Sequence, residues 1–142
     1  MGRFLDQQVS QNSSTTGSIG IILVDSSPML FGTLGLDVSE AGPNLRIQFT
    51  ALVTISGIIS EETPITIDIF RGTGPDAVLI YSLTELLPMG TVLKAVIADG
   101  VDYTPPNSGF LIYQAFVSKG DAPTQFPARR GPESFSAAAY SD

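Results

Sequence analysis

The side chains that could do covalent or acid–base chemistry are few. The 142-residue chain has no histidine, no cysteine and no tryptophan, and carries seven basic against fourteen acidic residues. Without imidazole or thiol there is no His base, no Cys nucleophile, no disulfide and no ordinary zinc site. A serine nucleophile would need a lysine, and neither Lys94 nor Lys119 stands in a Ser-x-x-Lys context. The adjacent Ser118 and Lys119 read instead as a solubilising strand end. Glu61 and Glu62 are neighbours, so in extended chain they point to opposite sides and share no substrate. Asp99 and Asp102 in Asp-Gly-Val-Asp offer two carboxylates on an expected loop, against the six to eight oxygens that calcium takes. Turn formation by Asp is the simpler reading, and the occupancy of that loop by a metal is left open. The glycines of Gly72-Thr-Gly-Pro-Asp-Ala77 resemble a phosphate loop only in composition. They stand between two strands, with no helix N-terminus to hold an anion. No catalytic residue, metal ligand or cofactor is therefore expected, and the chain reads as a non-enzyme.

Tyr81, Tyr103, Tyr113 and Tyr140, with Phe70 and Phe126 beside them, are candidates for a sugar platform. Tyr81 and Tyr113 fall in expected strands, where packing with the hydroxyl at a rim is the ordinary role. Only Tyr103 is expected on a loop.

The elements that position these residues are strands. Leu45, Ile47, Phe49, Ala51, Val53 and Ile55 alternate with Arg46, Gln48, Thr50, Leu52, Thr54 and Ser56, and Ile65, Ile67 and Ile69 alternate with Thr66 and Asp68. A period of two marks strands with one buried face. Further strands are expected at 19–24, 29–37, 77–83, 91–98, 110–118 and 134–140, rich in β-branched and aromatic residues. Residues 39–44, 71–76 and 99–109 carry Gly, Pro, Asp and Asn suited to turns. Only Thr84-Glu-Leu-Leu87 looks helical, and Pro88 limits it to one turn. Eight short strands with such punctuation predict an all-β, eight-stranded antiparallel jelly-roll sandwich over 17–142. An immunoglobulin-like sandwich is the alternative, without its usual buried Trp and paired Cys. Residues 1–16 are polar and low in complexity, and are expected to form a flexible N-terminal connector arm.

At 15.0 kDa the chain is one domain's worth, and at 43% hydrophobic, 15% charged and mean hydropathy +0.25 it is too apolar for a disordered chain. A net charge of −7 and a pI near 4.3 oppose nucleic-acid binding. The longest apolar stretch, 17–24, is far short of the roughly 20 residues of a membrane span, and the N-terminus lacks a signal-peptide core. Cytosolic synthesis without membrane insertion is expected. Several strands are apolar on both faces, notably 21–24 and 110–117, and 134–140 is small on both. A two-layer sandwich cannot cover its own outer faces, so association of copies through sheet faces is expected. The arm would join successive units by strand addition, with Phe4, Leu5 and Val9 as anchors and Gln7 and Gln8 supplying amide hydrogen bonds.

The runs 45–59, 63–72, 77–81 and 134–140 together resemble, in style over about 17–141, the small jelly-roll proteins on endospore surfaces of bacilli. These are exosporium proteins and subunits of fibrous spore appendages. The resemblance implies a tumour-necrosis-factor-like jelly roll, trimers stacked into a filament, an arm that docks into a neighbour, other surface-layer proteins as partners, and a place on the spore surface. The chain departs from the disulfide-linked appendage subunits in having no cysteine, and from the hair-like nap glycoproteins in having no collagen-like repeat. The expected function is thus a structural, self-assembling subunit of a surface fibre. The other readings are a carbohydrate- or receptor-binding module using loops 39–44, 71–76 and 99–109, and a phage or virion decoration protein.

Overall fold

The computed structural model describes residues 2–142 and contains nine strands among them: β1 (Arg3–Ser13), β2 (Ile21–Ile22), β3 (Met29–Asp37), β4 (Arg46–Ser56), β5 (Thr63–Arg71), β6 (Val78–Leu87), β7 (Leu93–Tyr103), β8 (Phe110–Lys119) and β9 (Ala128–Ser141). One sheet has the order β1-β9-β4-β7, with β2 also pairing β9, and the other has the order β3-β8-β5-β6. Apart from β2, the pairs β1–β9, β3–β8, β4–β7 and β5–β6 nest one inside another along the chain. A long hairpin of eight strands rolled into two sheets gives this connectivity, which is the jelly roll. All the pairings are antiparallel.

The alternating residues make the core. Ile47, Phe49, Ala51, Val53 and Ile55 of β4 face Ile65, Ile67 and Ile69 of β5 across the two layers, and all are buried. Phe135, Ala137 and Ala139 of β9 and Leu111, Tyr113, Ala115 and Val117 of β8 complete the interior. Close approach explains two glycines: a Cβ on Gly32 would meet Phe135 Cβ at 2.7 Å, and one on Gly100 would meet the Tyr81 ring at 2.8 Å.

The structure corrects four local expectations. The strand expected at 19–24 shrinks to the two residues of β2, and the eighth place in the roll goes to β1. Residues 84–87 are not a helical turn: Thr63 pairs Leu87 and Thr66 pairs Thr84, so strand pairing overrides local helix preference. Residues 99–103 are not a loop but the end of β7, where Asp99 pairs Thr50 and Asp102 pairs Ile47. Residues 3–13 are not a loose arm separate from the sandwich. They pair with β9 from Arg3–Ser141 to Ser13–Glu133, because β9 offers them a free row of backbone donors and acceptors. The connection between β5 and β6 is the expected turn, with a 3-10 turn at Gly74–Asp76 and positive φ at Gly72 (93°) and Gly74 (68°). Among the described residues no helix is long and apolar enough to cross a membrane.

Candidate functional site

The residues singled out for catalysis are separated or structurally engaged. Asp102 is buried and its Oδ2 accepts from Arg71 Nη1 (2.7 Å) and from the Tyr113 hydroxyl (2.7 Å), tying β7 to β5 and β8. Burial, then the hydrogen bond to Asp102, pushes the Tyr113 phenol far above its ordinary range, so it stays a neutral donor. Asp99 instead accepts from Thr50 on the outer face (3.2 Å). The two carboxylates therefore belong to a strand, and among the described residues no group of three or more His, Cys, Asp or Glu could hold a metal. Lys119 does not solubilise a strand end. It is buried, and its ammonium donates to the carbonyls of Ala122 (3.0 Å) and Gln125 (2.7 Å) above the Phe126 ring. The tyrosines do not converge: Tyr81 packs edge-on against Phe49 and Tyr140 against Phe4, while Tyr103 is exposed.

What the fold brings together are surfaces. The outer face of β3-β8-β5-β6 aligns Leu30, Phe116 and Asp68 in one row and Thr33, Gln114, Phe70 and Leu79 in the next. Phe70 and Phe116 stack edge to face with centroids 5.5 Å apart. Phe110 lies across Gly35, whose missing Cβ leaves room for the ring. Leu30, Leu79 and Phe110 remain 46%, 51% and 55% exposed. Among the described residues no basic one shares this face: Arg71, Lys119 and Arg129 turn inward, Lys94 pairs Glu85, Arg46 pairs Asp142, and Arg3 and Arg130 belong to the other sheet. The low charge noted in the sequence thus shows as a mainly apolar face that carries the Asp68 carboxylate but no cation.

The other sheet differs. Its outer face forms an open trough of about 600 Å³ over Ser136 and Ala138 of β9, bordered by Gln7, Gln48, Thr50, Asp99 and Tyr140. It is polar where the opposite face is apolar.

The third surface is the edge of β9 on which β1 lies. Phe4 is exposed and touches Tyr140, with ring centroids 5.9 Å apart, and Val9 is exposed, so neither is a buried anchor. Leu5, at a bulge between Phe4 and Asp6, is the anchor that reaches the core. Gln7 borders the trough and Gln8 makes only a long contact to Asp6 Oδ1 (3.4 Å). The polar contacts that hold the strand come from residues not singled out in the sequence. Asp6 Oδ2 accepts from the backbone N–H of Asp37 (2.8 Å), and Asn12 Nδ2 donates to Glu133 Oε1 (2.8 Å).

Glu133 is fully buried, and Arg129 grips it by two bonds of 2.7 Å, Nε to Oε2 and Nη2 to Oε1. Four residues along a straight strand would hold these groups apart. The bulge opposite β4 brings them together, since Glu133 pairs Val53 and Arg129 pairs Ile55, leaving two extra residues on β9. A sequence signal existed: Arg129, Glu133, Phe135, Ala137 and Ala139 share one parity, placing both charges on the core face.

No protein-family model and no curated protein matches the chain. Among solved structures it is similar to Eiger TNF from S. frugiperda, at 9% identity and TM-score 0.49 over 96% of this chain and 92% of that one. It is also similar to murine APRIL at pH 5.0 (10% identity, TM-score 0.43, 84% and 96% covered). A third is the infectious bursal disease virus Gx strain structure (10% identity, TM-score 0.45), where 99% of this chain matches 36% of that one. The jelly-roll assignment itself rests on the strand order.

Proposed function

We propose that the chain is a structural, non-enzymatic subunit that assembles with copies of itself into a surface fibre, of the kind carried on endospores. The observation that carries this reading is the outer face of β3-β8-β5-β6, where large apolar side chains stand together without a basic residue. Contiguous apolar area of this kind is what subunit interfaces bury. Strand β1 supplies the link between successive units. It is an edge strand held on β9 chiefly by its backbone ladder, with Leu5 half-buried and Ser13 buried among mostly exposed residues. The same ladder forms equally well when the strand comes from a neighbour, and a head-to-tail exchange propagates without closing.

Phe110→Asp with Leu79→Asp places two carboxylates on the face without touching the core. Negative-stain microscopy should show assemblies for the native chain and dispersed particles for the variant, with unchanged circular dichroism. Exchange of β1 is read separately, using the natural absence of cysteine. Val9 pairs Ser136 across β1 and β9, so a Val9→Cys chain mixed and oxidised with a Ser136→Cys chain should give a heterodimer above the level set by random collision. Native chains that stay dispersed, or mixed chains that never cross-link, would overturn the reading.

A further inference from the structure

We infer that the buried Glu133–Arg129 fork is a register key: it reads Asn12 of whichever copy's β1 lies on β9, and so fixes where the incoming strand stops. This rests on the strand exchange proposed above. The occupant is β1 of a second copy, and its recognition elements are a carboxylate at Asp6 and a carboxamide at Asn12.

Apolar patterning does not define the register of β1. Phe4 and Val9 point to solvent, and only Leu5 reaches the core. A strand with so little buried on one face slips readily, and a slip of two residues even preserves which side chains face which way. The slot must therefore be read by specific polar contacts. At one end the Asp37 N–H meets Asp6, and at the other Glu133 meets Asn12, both at 2.8 Å. The two irregularities of the ladder fall at the same places, between Phe4 and Asp6 and between Gln11 and Ser13.

Of these contacts only the second is made to a fully buried charge, which slippage would leave with two of its three side-chain hydrogen bonds. Glu133 is fully buried beneath β1, and both partners of the fork that holds it, Arg129 and Glu133, belong to β9 itself, so the fork needs no side chain of the strand that lies on it. Slipping by two replaces Asn12 with Ser10 or Ser14 at that position. Their shorter hydroxyls fall short of the carboxylate that the Asn12 amide reaches.

Register is measured with cysteine pairs in the full chain. Val9–Ser136 is the native pair, and Val9–Ser134 reports a slip of two, since Ser134 natively faces Gln11. Within one chain, Val9→Cys/Ser136→Cys should oxidise at least about tenfold faster than Val9→Cys/Ser134→Cys, the factor commanded by a hydrogen bond to a charged acceptor. Asn12→Leu removes the donor and Asn12→Asp sets a like charge beside Glu133. In either background the preference should fall towards one, both within a chain and between mixed chains. Chains that keep the native preference with Asn12→Leu and Asn12→Asp would refute the key while leaving exchange standing. Loss of cross-chain linkage with an intact in-chain effect of Asn12→Leu would refute exchange and confine the key to the chain's own strand.

Discussion

Replacing Arg129 by Met tests how the interior tolerates charge. The side chain keeps its length and apolar stem, but Glu133 loses both bonds from the guanidinium and stays fully buried, with Asn12 as its remaining side-chain partner. Removing one partner of a buried ion pair costs about 3–5 kcal/mol, because the stranded charge must be protonated or solvated in place. The melting entropy of a chain of this length is about 0.3 kcal/mol per kelvin, from roughly 2 cal/mol/K per residue. The melting temperature should therefore fall by roughly 10–17 °C. Differential scanning calorimetry reads it, and urea titration at constant m checks that the fold is unchanged. Arg129→Met with Glu133→Leu removes both charges, leaves only the Asn12 amide to solvent at the edge, and should recover most of the loss. A single variant within about 1 kcal/mol of the native chain would mean that Glu133 is neither buried nor charged as described.

Tyr113→Phe removes the hydroxyl from Asp102, which keeps its bond from Arg71, and should cost about 1–2 kcal/mol in urea unfolding. The phenol's pKa is raised by folding, so its stabilisation is complete below its unfolded value of about 10 and is lost as pH rises beyond it. The native chain should accordingly weaken more steeply above pH ~10 than Tyr113→Phe, and equal slopes would refute that burial. Gly32→Ala sets a Cβ at 2.7 Å from Phe135 Cβ and should cost about 1–3 kcal/mol, readable as a shifted urea midpoint.

The strands with strict alternation, β4 and β5, are legible in the sequence because one face is apolar throughout and the turns at 39–44 and 71–76 bound them. What escapes a local reading is set by distant partners. β1 has no periodic apolar face, and it becomes a strand because β9, more than a hundred residues later, presents a free edge. Residues 84–87 and 99–103 carry helix-like and turn-like residues, yet β5 and β4 template them as strand. Of the docking residues read from the sequence, Leu5 engages the core, whereas Phe4 and Val9 stay exposed, because the bulge at Leu5 resets which side faces inward. Asn12 was hidden among polar neighbours, and its significance appears only with the buried Glu133 opposite.

Sedimentation velocity of the native full chain over a wide concentration range is the decisive measurement. Species of several times 15.0 kDa that grow with concentration, and that disappear with Phe110→Asp and Leu79→Asp, are the expected result. A single 15.0 kDa species at every concentration would contradict self-assembly outright.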